Sequence, residues 1–262
     1  MPELLFLSAA GLLGLAIGSF LNVVICRVPR DQSLVRPGSH CPHCGHAVRN
    51  RHNIPVLGWL LLRGKCADCK APISPRYPLV EAGTAALFVA VAAKFGPSWE
   101  LPAYLYLAAV AVALAAIDLD VMRLPDKIVL PSYAIAPILL LPAVIAEHNW
   151  HAAVRGLAAA GLLYAGYWIL AVLPKGMGGG DVKLAPLLGL YLGWLGWSSV
   201  VVGAFAGFLL GGVVGVALMT ARAATRKSRI PFGPFMLAGV FLAVFAAAPI
   251  ANWYTDLLLP TA

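Results

Sequence analysis

Leu4-Leu5-Phe6-Leu7-Ser8-Ala9-Ala10-Gly11-Leu12-Leu13-Gly14-Leu15-Ala16-Ile17-Gly18-Ser19-Phe20-Leu21-Asn22-Val23-Val24-Ile25 is a run of 22 residues without a charge. As an α-helix it is about 33 Å long, enough to cross a hydrocarbon core of about 30 Å. A cleavable secretory signal needs a basic start, and this one is Met1-Pro2-Glu3; the first basic residue, Arg27, follows the run. The run therefore reads as a retained membrane helix with its N-terminus outside.

The pattern recurs. Apolar runs near 79–93, 101–117, 128–146, 156–173, 184–197, 198–221 and 232–250 bring the count to about eight transmembrane helices. The sixth is short, and its boundary with the seventh, at Gly193-Trp194-Leu195-Gly196-Trp197, is the weakest. Composition agrees: 61% of the 262 residues are hydrophobic and 11% charged, against roughly 25% charged in soluble domains. The fold class is an all-α polytopic membrane protein.

Charge tests the layout. With the N-terminus outside, the inner loops hold Arg27, Arg30, Arg36, Arg49, Arg51, Arg63, Lys65, Lys70, Arg76, Arg123, Lys127, Lys175, Lys183, Arg222, Arg226, Lys227 and Arg229. Of the 19 basic residues only Lys94 and Arg155 fall outside. This is the positive-inside asymmetry. The net +8 is thus topological. It favours contact with anionic membrane lipid and gives no reason to infer a nucleic-acid partner.

One segment departs from this composition. The whole chain has 19 basic and 11 acidic residues; residues 27–78 hold 11 of these 30 charges and lie on the inner, cytosolic side. Within them stand Cys41-Pro42-His43-Cys44 and Cys66-Ala67-Asp68-Cys69. Each C-x-x-C pair forms a tight knuckle that places two sulfurs on one ion, so Cys41, Cys44, Cys66 and Cys69 predict a tetrahedral Zn²⁺ site. Gly45 and Lys70 sit where the knuckle turns continue. A four-thiolate site has no open position, so the zinc is structural; a small segment poor in apolar residues needs such a staple. Disulfides are disfavoured in a reducing cytosol. His43 and His46 are spare candidate ligands facing solvent, and Cys26, without a partner, is a packing residue. The chain divides into a first membrane helix (1–26), a cytosolic zinc-binding segment (27–78) and a seven-helix membrane domain (79–262).

Two carboxylates carry the candidate chemistry. Asp118 ends the third span in Ala115-Ala116-Ile117-Asp118-Leu119-Asp120, and Asp181 follows Gly176-Met177-Gly178-Gly179-Gly180. Both fall at the inner face, where an ionisable group in a membrane protein is costly and a functional candidate. The glycines disfavour helix and allow non-helical backbone at the membrane edge. A phosphate loop is not indicated, because the G-K-[ST] ending is absent and no strand precedes the glycines. If the two carboxylates meet, they share a proton and act together as acid and base in peptide hydrolysis. Asp120 faces about 200° away on a continuing helix. Asp126, after Pro125, suits a helix N-cap. Glu81, just inside the second span, must find a partner such as Arg76 or a lysine, and reads equally as an ion pair or a site residue.

These motifs together resemble the type IV prepilin leader peptidases and N-methyltransferases, aspartic membrane proteases of the GxGD type. The resemblance rests on Gly18-Ser19-Phe20-Leu21-Asn22-Val23-Val24, the paired cysteines, Asn53-Ile54-Pro55, Gly64-Lys65-Cys66 and Arg76-Tyr77-Pro78-Leu79-Val80-Glu81. It continues through Ile117-Asp118, Leu124-Pro125-Asp126, Gly176-Met177-Gly178-x-Gly180-Asp181-x-Lys183 and Ile230-Pro231-Phe232-Gly233-Pro234. It implies a bacterial inner-membrane enzyme with Asp118 and Asp181 as the catalytic pair. Such an enzyme cuts the basic leader from type IV prepilins or type II secretion pseudopilins at the cytosolic face, with its own N-terminus periplasmic. It also implies methylation of the new N-terminus from S-adenosylmethionine, a function associated with the zinc-bearing segment. No methyl-donor motif is visible. Cys26 stands where Tyr or His is expected, and the stretch from Asp31 to His40 is shorter than in some members.

Two other classes compete. A carrier would use buried carboxylates for proton or cation coupling, but would place charges in mid-span or repeat broken helices in two halves. A non-enzymatic scaffold anchored by the zinc segment would leave the Asp pair without a purpose.

Overall fold

The computed structural model describes residues 1–173, 177–223, 225 and 228–258. Among them are eight long helices and one short one, with no strand beyond isolated bridges. The long helices are α1 (Pro2–Arg27), α3 (Arg76–Phe95), α4 (Leu101–Val121), α5 (Asp126–Glu147), α6 (Trp150–Val172), α7 (Gly179–Leu195), α8 (Trp197–Thr220) and α9 (Gly233–Leu258); α2 (Leu57–Leu61) is a single short turn. Seven of the long helices are long and apolar enough to cross a membrane. The eighth, α7, has 17 residues and reaches about 26 Å, which agrees with the short sixth span read from the sequence. Gly196, at φ +151°, separates α7 from α8.

The chain forms two compact units, Met1–Ala113 and Leu114–Ala262, with the division inside α4. In the first, α1 packs on α3 through Gly14 and Gly18. A Cβ on Gly14 would stand 2.6 Å from Ala85 Cα, and one on Gly18 2.7 Å from Glu81 Cα. Small residues spaced by four let two membrane helices approach at backbone distance, where dispersion and weak polar contacts act. Asn22 adds a hydrogen bond from Nδ2 to the Tyr77 carbonyl, 3.1 Å.

In the second unit α7 is the enclosed helix: Val182, Leu184, Ala185, Leu187, Leu188, Tyr191, Leu192 and Trp194 are all buried. It meets α6 through Gly189 and Gly193, whose Cβ atoms would come within 2.6 Å of the Ala159 carbonyl oxygen and Ala159 Cβ respectively. Arg155 of α6 then donates from Nε to the Gly193 carbonyl (2.6 Å) and from Nη2 to the Trp194 carbonyl (2.7 Å). These carbonyls belong to the last turn of α7, which lacks intrahelical donors. The outer face of α6 leaves Leu157, Leu162, Trp168 and Ile169 exposed, as suits a helix bordered by lipid. A short buried helix packed against α5, α6, α8 and α9 holds in place whatever its N-terminus carries, and it carries Asp181.

Candidate active site and metal centre

Asp118 lies in the last turn of α4 and is 5% exposed, while Leu119 and Asp120 point outward. Asp181 lies in the first turn of α7, half-buried. The two carboxylates are close enough for their charges to interact. Each receives a backbone amide: Gly233 N–H donates to Asp118 Oδ2 at 3.1 Å, and Gly178 N–H donates to Asp181. Gly178 is the N-cap of α7 and Asp181 its third residue, so this is the reciprocal half of a capping box. The Tyr167 phenol, buried on α6, lies within electrostatic range of Asp181.

The glycines before Asp181 differ from the sequence expectation. Gly179 and Gly180 are helical, the first two residues of α7, rather than non-helical backbone; Gly176 lies outside the described residues. The first turn has no intrahelical amide bonds to lose, so glycine costs less there than in a helix interior. A Cβ on Gly180 would stand 3.3 Å from Leu124 Cβ, so this glycine admits Leu124 against the start of α7.

The neighbouring carboxylates have other partners. Asp126 is the first residue of α5, whose N-cap is Pro125, so it is not the cap itself. Its oxygens accept both bonds from Lys183 Nζ, each 2.9 Å, two residues beyond Asp181. The Tyr133 hydroxyl donates to the Lys183 carbonyl. In the first unit, Glu81 Oε2 accepts the Val56 amide at 2.7 Å, a backbone partner in place of a cation. Val56 has φ +59° and ψ −52°, and Leu57 N–H bonds back to the Pro55 carbonyl at 2.6 Å. This is a γ-turn of the strained hand at a β-branched residue, and Glu81 holds it.

The cysteines converge. The sulfurs of Cys41, Cys44, Cys66 and Cys69 all lie within 4.8 Å of one another, and Cys41 and Cys69 are 3.8 Å apart. A tetrahedron with Zn–S bonds of about 2.3 Å has edges of about 3.8 Å, so the cluster has the size a zinc ion needs. The two knuckles repeat one geometry. Cys41 N–H bonds to the His46 carbonyl and Cys66 N–H to the Ala71 carbonyl; Gly45 and Lys70 occupy matching positive-φ positions, +73° and +60°. Bridges His40–Ala47 and Lys65–Pro72 close the two turns, and Arg49 pairs with Asp68 across them at 3.1 Å. Amides also point at the sulfurs. Those of Cys44 and His43 draw the Cys41 thiol down to about 7, and those of Cys69 and Asp68 lower Cys66. The His46 amide lowers Cys44, but desolvation and the three neighbouring sulfurs together push it up to about 12. The donor set can bind a metal ion such as zinc. His43 and His46 are exposed, as expected for non-ligands; Cys26 is exposed rather than packed.

Sequence reasoning missed Gly233, Arg155 and the Glu81–Val56 bond. The glycine and Glu81 lie within quoted motifs, but their contacts join residues 115 and 25 positions apart.

Known proteins resemble this chain over most of its length. Residues 12–95 match the Bacterial Peptidase A24 N-terminal domain, and residues 105–216 match the Type IV leader peptidase family. The prepilin leader peptidase/N-methyltransferase of Aeromonas hydrophila is 38% identical over 95% of this chain and 94% of its own length. That of Pseudomonas aeruginosa is 36% identical over 96% and 94%. That of Myxococcus xanthus is 42% identical over 80% of this chain and 62% of its own. No solved structure matches. Helices, carboxylates, cysteines and relatives point the same way: the chain belongs to the type IV leader peptidase family, with its bacterial N-terminal domain.

Proposed function

We propose that this protein is an aspartic endopeptidase of the bacterial inner membrane that removes the basic leader of type IV prepilins or pseudopilins and then N-methylates the new N-terminus. The observation that carries the peptidase reading is the pairing of Asp118 and Asp181, each held by a glycine amide, at the ends of two helices. Cleavage takes place at the cytosolic face, where the basic loops lie, and the N-terminus of the enzyme is periplasmic.

The reaction needs one proton shared between two carboxyls. The ionised carboxylate accepts a proton as water attacks the scissile carbonyl carbon. The protonated one polarises that carbonyl and then delivers its proton to the leaving nitrogen as the C–N bond breaks. The pair acts as a unit, so neither role belongs to one residue alone. Residues 79–262 form the peptidase domain in this reading, and residues 27–78 serve methylation.

Cys41, Cys44, Cys66 and Cys69 hold a structural zinc that orders the segment without touching substrate. S-adenosylmethionine supplies the methyl group. A cavity of about 390 Å³ at the start of the segment is lined by Arg27, Gln32, Ser33, Arg36, Pro37 and His40. With two guanidiniums and no carboxylate it does not suit a sulfonium cation, so the donor is not placed there.

The test is a single incubation of purified enzyme with a prepilin and S-adenosylmethionine, followed by mass and N-terminal analysis. The expected product lacks the leader and is one methyl group heavier than the leaderless chain. An intact substrate would refute the peptidase; a cleaved, unmethylated product would refute the second activity alone.

A further inference from the structure

The motif Ile230-Pro231-Phe232-Gly233-Pro234 opens α9 and enters the site above through the Gly233 amide alone. At the start of that helix the Phe232 carbonyl accepts the amides of Phe235 (3.0 Å) and Met236 (3.2 Å). Pro234 has no amide hydrogen. Gly233 N–H is therefore the donor left over at this helix end, and it goes to Asp118 Oδ2 in a buried bond of 3.1 Å. The positive end of the α9 dipole faces the same oxygen.

The absence of a side chain at 233 is what allows this approach. A Cβ there would stand 2.7 Å from Asp118 Oδ2, 3.4 Å from its Cγ and 3.2 Å from Leu124 Cδ2. Contacts under 3.0 Å require something to move, and here the obstructed atom is the carboxylate oxygen itself. Leu124, buried and also abutting the start of α7 at Gly180, need give only a few tenths of an ångström, so it is the carboxylate that must move. Any side chain at 233 thus displaces Asp118 relative to Asp181.

We propose that Gly233 is a positioning residue for the Asp118–Asp181 pair: its amide ties down Asp118 Oδ2, leaving Oδ1 as the oxygen that exchanges a proton during cleavage. The backbone bond to the Asp118 side chain falls on Oδ2. This inference rests on the peptidase reading. Displacements of about 1 Å in such a site cost on the order of 100-fold in rate, because the reacting atoms must be aligned.

The test uses the full-length enzyme with two substrates: a prepilin for cleavage, and a leaderless pilin with S-adenosylmethionine for methylation. Gly233→Ala is expected to lower kcat for cleavage at least tenfold, with KM and the methylation rate within twofold of the wild type. Gly212→Ala, whose Cβ meets nothing within 4 Å, should leave both rates unchanged. Normal cleavage by Gly233→Ala would overturn the inference, and so would an equal loss of both activities. If Gly233→Ala does not accumulate, it is combined with Asp118→Ala. The double variant should accumulate like Asp118→Ala alone, because the obstructing carboxylate is gone; failure to do so would also overturn the inference. Normal cleavage by Asp118→Asn would instead remove the peptidase reading beneath it.

Discussion

Arg155→Ala should loosen α7 and lower stability by an amount that follows from two bonds. The guanidinium donates to the Gly193 and Trp194 carbonyls at 2.6 and 2.7 Å, and both carbonyls lie in the last turn of a buried helix. A hydrogen bond to a charged group contributes about 1.5–3 kcal/mol. Arg155 is only part-buried and shares one charge between two acceptors, so the lower figure for each gives about 3 kcal/mol in all. For a chain of this size 1 kcal/mol corresponds to about 2–4 °C, so Tm should fall by about 6–12 °C. The assay is thermal unfolding in detergent, followed by tryptophan fluorescence. Arg155→Lys should recover less than half of the loss, because an ammonium cannot present two fixed donors to neighbouring carbonyls. A Tm within 2 °C of the wild type for Arg155→Ala would refute the reasoning. The charge layout read from the sequence left Arg155 as one of two basic residues outside, and these bonds explain why a basic residue stands there.

Cys66→Ser should bring bound zinc from one ion per chain to none by elemental analysis, since three thiolates no longer close the tetrahedron. At pH 8 the metal-free protein should release at least one proton per zinc taken up, because Cys44, pushed up to about 12, is still a thiol at that pH; an indicator dye reads this directly, and uptake without release would contradict it. Glu81→Ala should free the strained turn at Val56, at a cost of about 2–3 kcal/mol, and hasten proteolysis between residues 53 and 64, whereas Glu81→Gln should retain most of the protection. Asp126→Asn should change cleavage less than twofold and stability by less than about 1 kcal/mol, because its ion pair with Lys183 is half-exposed on both sides.

The helices were legible because membrane spans announce themselves as long uncharged runs, and every run read from the sequence corresponds to a helix in the structure. Their ends were less so. The sixth span was read from 184, yet α7 starts at Gly179, because glycine is a poor interior former but tolerable in a first turn that has no amide bonds to lose. The clustering of the four cysteines was legible to the individual residue, since the spacing of two C-x-x-C knuckles owes little to the rest of the fold. Asp118 and Asp181 stood out as carboxylates at one depth. What held them did not: an amide from Gly233, another from Gly178 and the wedge of Leu124 are backbone and packing relations between distant segments, and no side-chain type announces them. Asp126 was misread as a cap because Pro125 before it takes that position, which leaves its carboxylate for Lys183.

The central claim is that Asp118 and Asp181 jointly hydrolyse the leader bond. Cleavage of a prepilin by purified Asp118→Asn and Asp181→Asn, each confirmed folded by zinc content and unfolding temperature, tests it most directly. Positioned acid–base groups contribute about 10²–10⁴-fold, so each variant should lose at least 100-fold in kcat. Near-normal cleavage by either one would contradict the account.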